Sequence, residues 1–340
     1  VLGPEERYRL LEEATELAKL RRFAPLKEKL SALSDDDLVG EPELGHLYAL
    51  SLYNCTLYKA SMEVLERVSE GSPADGKTIQ YLRRLVLRGN LEYELGRLDR
   101  AEAAFREVMA SATSDECAGL GAAATINLAI IAWAKCRYDE SLAYSQRAMA
   151  TYQKRGDAFH IAGCHHNMAM AFKELGLLNA SMSQFEMALN GHIENGSERE
   201  IAYNEFERAL VILLLGDIEL AELTVRRSLA RIRSTGAAGG REEGEALRVL
   251  GTILARSDRA VEAMKALKRA RTIAVRAEVR LLEAEVSEEL GVLHLRGGNW
   301  HKGFSLCDNS ARIYVDIGAS PRAERLLLRM AKLSAGQPTA

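Results

Sequence analysis

Residues 169–189 read Ala169-Met170-Ala171-Phe172-Lys173-Glu174-Leu175-Gly176-Leu177-Leu178-Asn179-Ala180-Ser181-Met182-Ser183-Gln184-Phe185-Glu186-Met187-Ala188-Leu189. A small residue, Ala169, is followed twelve positions later by another, Ser181, and four positions further by the aromatic Phe185, with Gly176 lying between. Two helices approach closely only where the facing side chains are small, and a large residue beside them then covers the seam. Gly176 supplies the turn, because a sharp exit from a helix calls for a positive φ that glycine adopts freely. The stretch therefore reads as two antiparallel helices joined by a tight turn.

The same pattern returns about every 40 residues, eight times over. The first small position is Ala14, Ala49, Gly89, Ala129, Ala169, Ala209, Gly251 and Gly291. The second is Leu26, Ser61, Ala101, Ser141, Ser181, Ala221, Ala263 and Gly303, and the covering position is Leu30, Leu65, Phe105, Ser145, Phe185, Val225, Leu267 and Cys307. A period in this range marks a repeat array, in which each hairpin buries its apolar face only against its neighbours. Gly96, Gly176, Gly216 and Gly298 mark the turn in four repeats, and Leu98, Tyr138, Leu178, Ile218 and Trp300 supply a large packing residue just after it. Asp99, Asp139 and Asn179 stand where second helices begin and are expected to cap them.

Two spacings break the rhythm. Repeats one and two are 35 apart, through Ser34-Asp35-Asp36-Asp37, and repeats six and seven are 42 apart, through Thr235-Gly236-Ala237-Ala238-Gly239-Gly240. The expected organisation is repeats one to six over residues 1–234, a flexible loop at 235–240, and repeats seven and eight over 241–318. A capping helix and tail over 319–340 complete it, with Pro321 to Leu333 as the helix.

Composition narrows the function. Ala, Leu, Glu and Arg dominate a chain that is 47% hydrophobic and 6% aromatic, which favours helix throughout. No apolar stretch approaches the ~18 residues that crossing a membrane requires. The start, Val1-Leu2-Gly3-Pro4, has neither an initiator Met nor a signal-peptide profile, as an excised segment of a longer protein would. Five cysteines, irregularly spaced, argue against a disulfide framework and place the chain in the cytoplasm. The sequons at Asn54, Asn179 and Asn195 are then coincidental, the second because it includes the packed Ser181. Residues 226–280 hold 14 Lys and Arg against six Asp and Glu in a chain of net charge −3. Such a stretch can meet nucleic acid, but no recognition motif accompanies it, so nucleic acid is disfavoured against a solvated set of outer helix faces.

Gly71-Ser72-Pro73-Ala74-Asp75-Gly76-Lys77-Thr78 spells a P-loop literally. A working P-loop follows a buried strand, whereas Ser61 to Ser69 are a helix by register, so a turn between repeats explains the match. Arg155-Gly156-Asp157 is likewise a helix stop followed by a helix start. His160, Cys164, His165 and His166 form the one metal-like cluster, but Cys164 and His165 point in different directions and no fourth ligand is evident. No metal, cofactor or catalytic group is expected.

The segment Gly89-x6-Gly96-Arg97-Leu98-Asp99-Arg100-Ala101-x3-Phe105 and residues 169–189 resemble tetratricopeptide repeats, and the resemblance covers roughly residues 5–318. The period exceeds the family's usual length, and the signature tryptophan is replaced by Leu10, Gly45, Leu85, Thr125 and His165. The resemblance implies an all-α, right-handed α-solenoid of about eight helical hairpins with a C-terminal capping helix. It also implies a non-enzymatic protein- or peptide-binding module, similar to sensor and regulator segments in bacterial signalling and to scaffolds. The composition agrees with a bacterial origin.

The first helices supply the candidate groove: Asn90, Ile126, Asn127, Ile130, Trp133, His166, Asn167, Met170, Phe206 and Leu210, continued by Leu213 and Leu214. An amide side chain donates to and accepts from a peptide bond at once, which suits an extended partner, and flanking apolar residues take its side chains. The alternative is that the aromatic residues pack within the array. The resemblance implies a peptide-clasping role for Asn127 and Asn167. Asn90 and Asn127 also match the amides of the family's carboxylate clamp, but its basic positions hold Val86, Gly163 and Asn167, which disfavours that mode. The expected partner is a peptide or protein in the concave groove. An assembly scaffold that docks a folded protein or forms a homo-oligomer is the alternative. A further one is a regulatory subunit of an enzyme or nucleic-acid machine acting through residues 226–280.

Overall fold

A computed structural model describes residues 3–70, 79–235 and 239–335, and among these it contains helices and no strand. The helices pair as the small positions require. The first four pairs are α1 (Pro4–Lys19) with α2 (Phe23–Leu30), then, after α3 (Asp35–Gly40), α4 (Pro42–Asn54) with α5 (Tyr58–Glu70), α6 (Ile79–Glu94) with α7 (Leu98–Ser111), and α8 (Ala118–Ala134) with α9 (Tyr138–Arg155). Next come α10 (Ala158–Glu174) with α11 (Leu178–Glu194) and α12 (Glu198–Leu214) with α13 (Ile218–Ser234). The last two pairs are α14 (Arg241–Arg256) with α15 (Ala260–Arg276) and α16 (Arg280–Arg296) with α17 (Trp300–Asp316), and α18 (Ser320–Ala335) caps the array. The all-α solenoid of eight hairpins and a capping helix is thus observed. The chain forms two compact units, one of residues 1–95 with 100–124 and one of 96–99 with 125–340.

Close approach explains the small positions. A Cβ added to Gly89 would lie 2.6 Å from the Phe105 ring, and one added to Gly251 would lie 2.5 Å from Leu267. The covering residue therefore sits directly on the first small position. At two of the three serine-bearing second positions a hydroxyl ties the hairpin: Ser61 Oγ donates to the Ala49 carbonyl at 2.6 Å and Ser181 Oγ to the Ala169 carbonyl at 2.7 Å. This bond satisfies a buried hydroxyl while keeping the two backbones close.

The turns follow one rule with two chemistries. Gly96, Gly176, Gly216 and Gly298 have positive φ, and so do Arg21, Thr56, Cys136 and Asp258 at the equivalent places of the other repeats. The capping expectation needs correcting: α9 is preceded by Arg137 and α11 by Leu177, so Asp139 and Asn179 lie inside the first turn, as Asp99 does in α7. Side-chain caps form elsewhere, before the first helix α10 and the second helix α13. Asp157 Oδ1 accepts from the His160 N–H at 3.1 Å and Asp217 Oδ1, before α13, from Leu220 N–H at 3.0 Å. The connection through Ser34–Asp37 is itself helical, opened by Ser34, whose Oγ accepts from the Asp37 N–H at 3.2 Å.

The P-loop match at Gly71–Thr78 lies outside the described residues; what precedes it is helix α5. The centre of the 235–240 segment, residues 236–238, lies outside them too. On either side α13 and α14 pack directly together, and one apolar core runs from Ala202 on α12 to Leu290 on α16.

Candidate functional site

The first helices of the later repeats carry a ladder of alternating charge within the unit formed by residues 96–99 and 125–340. Lys173 on α10 donates to Glu207 on α12 at 2.8 Å, with both side chains buried at 7% and 4% exposure. Glu207 lies 3.5 Å from Arg248 on α14, whose Nε is 3.3 Å from Glu285 on α16. Glu285 accepts from Arg322 Nη1 on α18 at 3.0 Å. Arg322 then returns to α8: its Nε donates to the Ala134 carbonyl at 2.8 Å, and its guanidinium lies 4.4 Å from the Trp133 ring centre. The ladder ends in a cation over an indole.

Electrostatics holds it charged. Burial alone pushes the Glu207 carboxyl upward, but Lys173 and Arg248 together outweigh that and leave it below the usual range. Burial likewise opposes the charge on Arg248 and Arg322, and Glu285 together with further acidic neighbours outweighs it in both, keeping each above the ordinary arginine value. Beside the ladder, Arg329 meets Glu288 at 3.0 Å and Arg325 meets Glu174 at 3.6 Å.

A cavity of about 410 Å³ opens on this ladder. One wall is apolar, from Leu210, Leu213 and Leu214 of α12 with Trp133 of α8; the other is charged, from α14, α16 and α18. The mixture of an apolar wall and a few oriented polar groups is what a binding site for a short chain requires.

The family model named tetratricopeptide repeat matches residues 121–193, across α8 to α11. The match covers two hairpins, and the same hairpin pattern continues on either side of them. Solved structures of the same fold follow this chain over most of its length. A Rap protein complexed with the Competence and Sporulation Factor has a TM-score of 0.67 at 13% identity, covering 98% of each chain. NprR in complex with its cognate peptide NprX has a TM-score of 0.62 at 15% identity, covering 85% of each chain. Aspartyl phosphate phosphatase F from Bacillus subtilis has a TM-score of 0.55 at 13% identity, covering 98% of this chain and 95% of that one. At such identities the likeness is one of fold. No curated protein matches the chain by sequence.

The repeats distribute the expected groove residues unevenly. Trp133 and Leu210 line the cavity together with Leu213 and Leu214. Met170 is buried below them, in an apolar cluster with Ala169, Phe185 and Val211 against which Trp133 packs. Phe206 is not a surface residue: at 0% exposure it belongs to the core. His166 is also internal, with its ring against Phe185 and Tyr203 and neither ring nitrogen hydrogen-bonded, and burial pushes it down to about 3. Ile126, Asn127, Ile130 and Asn167 are half-buried on α8 and α10, and Asn90 lies in the other unit, on α6. The next asparagine position along the array, 40 residues after Asn167, is the ladder residue Glu207.

The cluster at 160–166 is dispersed. His160 is hydrogen-bonded to Asp157 at 2.8 Å, His165 to Gln184 at 2.7 Å, and Cys164 is fully buried. Among the described residues no group of three or more His, Cys, Asp or Glu could hold a metal. None of the described helices is long and apolar enough to cross a membrane. The basic stretch is largely spent on pairing: Arg227 meets Glu205 at 2.8 Å, Arg233 and Arg269 both meet Glu243, and Arg259 meets Glu222 at 2.7 Å.

Individual hydrophobic positions could not reveal the charged half of the cavity. One trace was legible: Glu285, Glu288 and Glu289 form an acidic face on α16, and Arg322, Arg325 and Arg329, spaced three and four apart, form a basic face on α18.

Proposed function

We propose that the chain is a peptide-binding regulatory module of bacterial cytoplasmic signalling, and that the cavity beside the ladder is where the peptide sits. The observation that carries this reading is the cavity itself, with three exposed or half-exposed leucyl and indolyl surfaces facing a fixed array of charges. Two of the proteins that share the fold were solved with a bound factor or cognate peptide, which supports the same use of the array here. Asn127 and Asn167, half-buried on α8 and α10, are proposed to bond the peptide backbone. The reading is of binding rather than catalysis. Burial pushes the thiols of Cys164 and Cys307 up to about 12 and about 11, so neither is an activated nucleophile.

The test is affinity selection from a random hexapeptide pool on the immobilised chain, read by mass spectrometry. Leu214→Glu places a charge on the apolar wall at an exposed position, and Asn127→Ala with Asn167→Ala removes the amides. A peptide set retained by the wild type and lost from both variants is the expected result. Retention of no peptide, or equal retention by all three proteins, overturns the proposal.

A further inference from the structure

We propose that the cavity selects its peptide by an acidic group, either a side-chain carboxylate or a free C-terminal carboxylate, held by Arg322, Trp133 and Arg256. The inference rests on the peptide-binding reading and adds the chemistry of what is bound.

The donors are unbalanced. The cavity is lined by six lysine and arginine side chains against four glutamates. Arg322 is 9% exposed and commits Nε to the Ala134 carbonyl and Nη1 to Glu285, which leaves Nη2 buried with no acceptor. Trp133 Nε1, on the indole beneath the same guanidinium, is buried with no acceptor either. Neither group can accept a hydrogen bond, and neither has an acceptor within the protein, so an acceptor on the ligand would satisfy both. A buried donor left without one is costly, and an ionised acceptor makes the strongest bond to a guanidinium.

Arg256, at the end of α14, is exposed on the same cavity and has no ion-pair partner among the described residues. The remaining lining cations each face a glutamate, so Arg256 is the charge left over for a ligand. Glu289, the lining carboxylate without an ion-pair partner among the described residues, offers an acceptor to the peptide's N–H groups. The leucine wall favours a carboxylate carried by a peptide over a bare inorganic anion. These positions differ from those of the carboxylate clamp, whose basic places hold Val86, Gly163 and Asn167 here. The chain carries its charge on α14 and α18 instead.

The experiment uses Trp133 as its own reporter, in a Trp300→Phe background that leaves it the sole tryptophan. The probes are random hexapeptide pools with one fixed position, Glu, Gln or Lys, each made with a C-terminal amide, and the Gln pool also with a free acid. Expected is a half-point for the shift in Trp133 emission about tenfold lower for the Glu amide pool or the Gln acid pool than for the Gln amide pool. Which of the two gains tells a side-chain carboxylate from a terminal one, and either result supports the proposal. Arg256→Gln should erase most of that gain. Equal half-points for the Glu, Gln and Lys amide pools and the Gln acid pool, or a gain untouched by Arg256→Gln, overturn the acidic selection while leaving peptide binding standing. Binding of no pool overturns both.

Discussion

At the turn between the two helices of each repeat, one residue must enter the left-handed region, and the chain meets this demand unevenly. Gly216 does so at φ 98°, whereas Thr56 is held there at φ 62° despite a branched Cβ that clashes in this conformation. Replacing Thr56 by glycine should therefore stabilise its hairpin, by about 1 kcal/mol, and Gly216→Ala should destabilise by a similar amount. Thermal unfolding followed by circular dichroism checks both. A melting temperature lowered by Thr56→Gly would show that the threonine is held without strain. The same scale explains why the turn residues were legible only in part: a glycine announces positive φ, but Arg21, Cys136 and Asp258 adopt it because the flanking helices impose it.

Between elements, the ladder ties first helices that are neighbours in the array. Lys173 and Glu207 are buried together, and Glu207 also faces Arg248 at 3.5 Å. Removing one partner of such a pair strands a charge in a medium that solvates it poorly, whereas replacing both by apolar groups leaves nothing to strand. Lys173→Met alone should cost about 3 kcal/mol in denaturant unfolding. Lys173→Met with Glu207→Leu should recover most of that, since Arg248 keeps Glu285 at 3.3 Å. A double variant no more stable than the single one would mean that the pair contributes more than it costs to bury.

Across the whole molecule, three buried histidines set the response to acid. Burial, the leading cause in each, pushes His166 down to about 3 and His46 and His192 down to about 4. In the unfolded chain each takes up a proton near the ordinary value of about 6.5, so between that pH and the depressed values the unfolded state binds more protons. Their neutral, buried forms therefore favour folding fully at neutral pH, and this contribution falls as pH drops from about 6.5 towards 4. Melting temperatures at pH 7, 6 and 5 should decline, and His166→Leu should flatten part of the slope. An unchanged slope in that variant would show that His166 is protonated in the folded state.

The amino-acid sequence by itself determined the array. Ala, Ser and Gly twelve apart leave two helices one way to meet, and repetition every 40 residues leaves them one way to stack. Local chemistry of this kind is readable because the interacting residues lie in one hairpin. The hydrophobic residues could not be sorted into groove and core in the same way: periodicity puts Phe206 and Trp133 on the same helix face, and only packing buries the first and leaves the second on the cavity. Nor did the local charge excess of residues 226–280 describe a surface, since Glu205, Glu222 and other carboxylates outside that stretch neutralise it. The cavity and its charges were decided by tertiary structure alone. Arg322 meets the Ala134 carbonyl across 188 residues of chain, and no local pattern can state that α18 and α8 come together.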